Sequence, residues 1–161
     1  MNLEEKYQHL KKTPSDINTH FETIRKYVTK GDRVVELGVR EMVSTYALMA
    51  NKPGALISVD VVDPPQENLT EVMRIAAESG VQFKFFKEDS VYIDIKPIDV
   101  LFIDTLHLYS QIVKELWRHS PRVQKYIIFH DSHIPEVRAC IQDFLFNLDW
   151  EVVEDRTTNT G

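Results

Sequence analysis

Two hydrophobic rhythms alternate along the chain. Short, nearly unbroken apolar runs read as strands: RVVELG (Arg33 to Gly38), ALISVDVV (Ala55 to Val62), VQFKFF (Val81 to Phe86), IDVLFID (Ile98 to Asp104), KYIIFHD (Lys125 to Asp131) and WEVVED (Trp150 to Asp155). Between them apolar residues recur at helical spacing. Ile17, Phe21, Ile24, Tyr27 and Val28 mark a first helix, with Ser15 or Asp16 placed to cap it and Lys30-Gly31-Asp32 to stop it. VSTYALMA, NLTEVMRIAAESG, LYSQIVKELWRHS and IPEVRACIQDFLFNL supply the remaining helices. Pro64 and Pro65 close the second strand, Gly80 closes the helix after it, and the residues before Thr13 read as a polar start.

Strands that alternate with helices predict an α/β fold: a three-layer, Rossmann-like, doubly wound and mostly parallel sheet. The strands carry apolar residues on both sides, as they must when helices cover both faces. We read residues 1–161 as one domain, with 1–30 a helical cap and 31–161 the Rossmann-like core. Hydrophobic residues make up 43% and charged residues 27%, and the formal net charge is −6. That acidity argues against a nucleic-acid groove, which needs a basic stripe. No apolar run reaches the length of a membrane span and the N-terminus is not a signal peptide, so a cytoplasmic protein without a membrane partner is expected. A single cysteine, Cys140, rules out an internal disulfide, and its mid-helix position reads as core.

The strands end on acids. Glu36 lies near the end of the first, Asp60 in the second, Asp89 after the third, Asp104 at the end of the fourth and Asp131 at the end of the fifth. Ligands of open parallel sheets bind beyond the carboxyl ends of the strands, so these acids are expected to share one rim. The turn after the first strand, LGVREMVST, keeps only Gly38; Arg40 and Val43 stand where a dinucleotide turn needs glycines. Glu36 and Glu41 flank it, a poor setting for phosphate and a better one for a cationic nucleoside. Asp60 is placed to accept hydrogen bonds from ribose hydroxyls, and S-adenosylmethionine fits these requirements better than NAD.

VVELGVREMVSTYALM, LISVDVV, FKFFKEDS, VLFIDTLHLY and YIIFHDS, in that order, resemble the class I S-adenosylmethionine-dependent methyltransferases, and among them the metal-dependent O-methyltransferases of small molecules and sugars. The resemblance implies that Glu36 and Gly38 hold the methionine end of the cofactor, Asp60 the ribose, and Asp89 with Ser90 the adenine edge. Ser44 is expected either to touch the cofactor or to cap its helix, and Tyr109 to form a cofactor shelf or simply to pack. A seventh, antiparallel strand is also implied; it would begin at residues 157–161, so the last strand is expected to be lacking.

Neighbouring strands would bring Asp104 and Asp131 together. Two carboxylates about 6 Å apart repel by roughly 3 kcal/mol at an effective dielectric near 20, so the pair needs a cation or a shared proton. The resemblance places a divalent metal on Asp104, His130 and Asp131. Oxygen ligands point to Mg²⁺, and an imidazole shifts the preference toward Mn²⁺ and later metals. Asp104, His107 and Asp131 are the candidate catalytic groups, His107 as the base for an acceptor hydroxyl. The expected reaction is direct methyl transfer to a hydroxyl of a small molecule, a sugar among the candidates, with homo-oligomerisation left open. Two other readings stand beside it. One is a cofactor-binding domain that transfers nothing; the other is a metal-dependent hydrolase or oxygenase, which leaves Glu36, Asp60 and Asp89 without a role.

Overall fold

The computed structural model describes residues 1–156. Five parallel strands, β1 (Arg33–Leu37), β2 (Ala55–Asp60), β3 (Gln82–Lys87), β4 (Ile98–Ile103) and β5 (Val123–Phe129), form one sheet in the order β3-β2-β1-β4-β5. The strand order reverses between β1 and β4, so a crevice opens at their carboxyl ends. Among the described residues α1 (Leu3–Lys12) and α2 (Phe21–Lys26) precede β1, α3 (Val43–Met49), α4 (Gln66–Ser79) and α5 (Tyr109–His119) follow β1, β2 and β4, a loop without a helix joins β3 to β4, and α6 (Pro135–Asn147) follows β5.

Alternation along each strand divides the core in two. Val34, Leu56, Val100 and Phe102 face α1 to α4, where Tyr7, Phe21, Ile24, Leu48, Met49, Val72 and Ile75 are packed. Val35, Leu37, Val59, Leu101 and Ile103 face α5 and α6, against Ile112, Leu116, Val137, Cys140 and Phe144. The result is the three-layer architecture expected from the pattern, and each fully buried apolar side chain contributes about 1.5–3 kcal/mol.

Three departures stand out. The polar start folds as α1, closed by a capping box in which the Glu5 amide donates to Asn2 Oδ1 at 3.0 Å and the Asn2 amide donates to the Glu5 carboxylate at 3.0 Å. The Asn2-to-Glu5 spacing and the buried pair Leu3 and Tyr7 were the available signals. The helix expected from Ser15 is shorter: a 3₁₀ turn (Asn18–His20) runs into α2, and Ser15 Oγ accepts the Asn18 amide at 3.0 Å.

The sixth strand does not form. Residues Trp150 to Asp155 have no strand pairing among the described residues, and Val152 and Val153 face solvent. Side chains hold this segment instead: Trp150 packs on Phe144, and the Glu154 carboxylate accepts from Tyr27 Oη at 2.5 Å and Lys26 Nζ at 2.8 Å. A strand exists only where another backbone satisfies its amides, and β5 is left as an edge. The place expected for a seventh strand, 157–161, lies outside the described residues. Among the described residues no helix is long and apolar enough to cross a membrane.

Candidate active site

The rim has two halves. In the first, β1 and β2 present Glu36, Gly38 and Asp60. Glu36 is fully buried, and its carboxylate accepts hydrogen bonds from Ser44 Oγ (2.5 Å), Thr45 Oγ1 (2.9 Å) and Ser58 Oγ (2.5 Å). Burial pushes its pKa up to about 7 although the three hydroxyls favour the charged form. Ser44 therefore serves Glu36 and does not cap α3; Met42, the residue just before the helix, makes no side-chain cap either. Gly38 has φ +85°, and a Cβ there would lie 2.0 Å from the Asp104 carbonyl oxygen, so only glycine lets the turn press against the end of β4. Arg40 (φ 47°) and Met42 (φ 64°) continue the left-handed turn without glycine. Asp60 holds that turn: its Oδ2 accepts the amides of Val39 (2.8 Å) and Arg40 (3.2 Å), and its Oδ1 that of Val62 (3.0 Å). A carboxylate offers about four acceptor positions, so one stays free for a hydroxyl.

Asp89 makes a local turn by accepting the Val91 amide at 2.8 Å. Ser90 is buried, donating to Glu115 Oε1 at 2.5 Å while its carbonyl accepts His119 Nε2 at 2.6 Å. Glu115, which the pattern gave no reason to single out, also accepts Thr105 Oγ1 (2.9 Å) and Gln111 Nε2 (2.9 Å), and burial raises its pKa. It fastens the loops after β3 and β4 to α5. Tyr109 turns toward α6, its hydroxyl donating to Asp143 at 2.7 Å and its ring packing against the core between the sheet and α5 and α6.

The second half gathers acids and imidazoles. Asp104 follows β4, and Asp131 follows β5 with φ 54°. His107 Nε2 lies 3.0 Å from Asp131 Oδ2 and 3.8 Å from Asp104 Oδ1; His130 Nδ1 lies 3.1 Å and 3.4 Å from the same two oxygens. His130 approaches from the buried side and His107 from the solvent side. His130 Nε2 donates to the Asp16 carbonyl at 3.3 Å, because a carbonyl can only accept. Its Nδ1 therefore faces two carboxylates with either a proton or a metal. Burial works against charge on this ring, but Asp104 and Asp131 outweigh it and the pKa is raised. His20 stacks edge-on against His130 with centroids 5.6 Å apart, and burial lowers its pKa. His133 Nδ1 is 3.9 Å from Asp131 Oδ1.

Distance and direction disagree at this corner in an informative way. His107 Nε2 and His130 Nδ1 are both buried without an aligned hydrogen-bond partner, despite carboxylate oxygens near 3 Å. Atoms that surround a common point behave so: neighbouring ligands of an octahedral ion bound at about 2.1 Å stand about 3 Å apart without aiming at each other. One ligand atom each from Asp104, His107 and Asp131 lie within 4.8 Å of one another. The donor set thus fits a divalent cation. A separate cavity of about 650 Å³ runs beside β5 beneath residues 149–156, with His20 and His130 among its lining.

No protein-family model matches the sequence, and no curated protein matches it. Solved structures do. An rRNA methylase from Streptococcus thermophilus superposes with a TM-score of 0.55 at 12% identity, over 84% of this chain and 81% of that one. A SAM-dependent O-methyltransferase from Thermotoga maritima gives 0.58 at 17% identity, over 81% of this chain and 56% of the other. A ribosomal protein L11 methylase from Lactobacillus delbrueckii subsp. bulgaricus gives 0.60 at 13% identity, over 80% and 67%. At such identities the likeness establishes a common fold.

Proposed function

We propose that this protein is an S-adenosylmethionine-dependent methyltransferase acting on a hydroxyl of a small molecule, assisted by a divalent metal ion. The observation that carries the reading is the corner of Asp104, Asp131, His107 and His130, set at the switch point beside a turn unsuited to phosphate. The fold shared with proteins named as methylases supports the cofactor.

In this reading Asp60 offers its free acceptor position to the ribose, and the turn it holds carries the methionine end past Gly38. Exposed Val61 and Val62, just beyond Asp60, give the nucleoside an apolar surface. Glu36 acts from behind, tying α3 and β2 to β1 through its three hydroxyls. Asp104, Asp131 and His107 would hold the ion, Mn²⁺ or Mg²⁺, which supplies Lewis acidity that lowers the pKa of the acceptor hydroxyl. His130, expected from the sequence as a ligand, brings its Nδ1 close to both carboxylates from the buried side and lies outside this set of three. With His107 a ligand, the acceptor proton leaves to solvent through the open rim. S-adenosylmethionine, when bound, would supply the methyl group, the acceptor oxygen taking it as the carbon–sulfur bond breaks with its electron pair left on sulfur. Positioning the two reactants end-on supplies most of the remaining acceleration.

Calorimetric titration with S-adenosylmethionine, with and without Mn²⁺ or Mg²⁺, tests this. Binding of both cofactor and metal is expected. Cofactor binding alone would point to a non-catalytic scaffold, and metal binding without cofactor to a hydrolase or oxygenase.

A further inference from the structure

Arg40 occupies a backbone conformation that L residues rarely adopt, φ 47°, in the turn between β1 and α3. Strain of this kind persists where surrounding structure enforces it, here the Asp60 carboxylate on the Val39 and Arg40 amides. The guanidinium it presents is 70% exposed. Its ion-pair partner is Asp16, 2.7 Å away on the segment between α1 and the 3₁₀ turn and itself 50% exposed. Asp16 also reaches the acid–imidazole corner, since its carbonyl accepts His130 Nε2 at 3.3 Å and His130 Nδ1 faces Asp104 and Asp131. Two residues, Asp16 and His130, thus connect Arg40 to the carboxylates of the proposed metal corner.

Its charge has a specific value there. Asp60, Asp104 and Asp131 make the rim acidic, and an anionic acceptor would be repelled unless a cation received it. Of the other cations, Lys87 ends β3, at the edge of the sheet away from β4 and β5, and Arg138 is held twice, by the Ser132 carbonyl at 3.1 Å and by Asp155 at 3.5 Å. The Arg40–Asp16 pair is exposed and open to exchange, since solvent-exposed ion pairs hold weakly. A guanidinium can bind a carboxylate through two parallel N–H donors, and the Asp16 carboxylate takes one of them, Nη1, at 2.7 Å.

We infer that Arg40 is a specificity residue that receives a carboxylate on the acceptor, with Asp16 standing in for it in the free protein. The inference rests on the methyltransferase reading for its context and names the acceptor as a hydroxy acid. The test compares 3,4-dihydroxybenzoate with catechol, titrated against the full chain with Mn²⁺ and S-adenosylhomocysteine. The wild-type protein should bind the acid about tenfold more tightly. Arg40→Met should abolish that preference and Arg40→Lys, which keeps the charge but loses the fork, should retain part of it. Asp16→Asn should strengthen binding of the acid several-fold by removing its competitor, whereas a pair that merely fastens the N-terminal segment predicts no gain. Equal binding of the two probes by the wild type, or an unchanged ratio in Arg40→Met, overturns the inference. Mn²⁺ and S-adenosylhomocysteine are also titrated alone: their failure removes the methyltransferase reading, while benzoate titrated against wild type and Arg40→Met without them still decides the role of Arg40.

Discussion

The two halves of the rim use the same residue type in opposite ways. Around β1 and β2, Glu36 and Asp60 are satisfied by the protein itself, three hydroxyls on one and three amides on the other. Around β4 and β5, Asp104 and Asp131 face imidazole nitrogens that lie close without alignment. A carboxylate with directed internal donors shapes its surroundings, and most of its charge is already neutralised. A carboxylate whose neighbours only converge keeps its charge for a ligand. The first half holds a backbone turn, and the second leaves two carboxylates and two imidazoles converging, the arrangement the proposed ion requires.

This contrast can be broken at four places, in decreasing order of effect. Gly38→Ala should be the most damaging. The left-handed backbone costs about 1–2 kcal/mol and the overlap with the Asp104 carbonyl about 1–3 more, a loss of about 4 kcal/mol measurable by urea denaturation. A smaller loss would show that the two halves can move apart.

Glu36→Gln should change the pH dependence of stability. The folded pKa of about 7 is raised above the unfolded 4.5, so the folded state holds the extra proton between these values. Stability contributed by protonated Glu36 is complete below about pH 4.5 and is lost as pH rises through 7, by about 3 kcal/mol at 1.36 kcal/mol per unit. The Gln variant should lack this decline in melts from pH 4.5 to 8; an unchanged decline would assign it to another group.

Asp131→Asn should weaken Mn²⁺ binding by more than about 100-fold, about 2.7 kcal/mol, read by calorimetry with the far-ultraviolet spectrum unchanged. An Asn variant that binds Mn²⁺ normally would leave the second half with no ion to hold. Asp60→Ala is the mildest: S-adenosylhomocysteine should bind about tenfold more weakly, in keeping with hydrogen bonds to a charged group worth about 1.5–3 kcal/mol. Unchanged affinity would confine Asp60 to the turn it supports.

Much of this was legible along the chain because the relevant signals are local. Apolar runs bounded by Pro64-Pro65, Gly80 or Lys30-Gly31-Asp32 located all five observed strands, and their alternation with helices implied a parallel sheet. The same logic failed at Trp150 to Asp155, where a strand-like pattern has no partner backbone and folds against side chains. The capping box of α1 was local too, yet a polar segment concealed it. At the site, the run ending in Asp104 and the run ending in His130-Asp131 announced polar groups at strand ends. Nothing in spacing announced Glu115, whose partners Ser90 and Thr105 lie in separate loops, or the closeness of Arg40 to Asp16 and of Asp16 to His130.

The sequence by itself determined which residues build strands and helices, that both sheet faces would be covered, and that acids would gather at one rim, because each follows from the period of a local element. Only the tertiary structure decided which acids are spent on the protein's own hydroxyls and amides and which stay available. That outcome depends on sub-ångström direction between groups far apart in the chain, and hydrogen-bond strength falls steeply with misalignment.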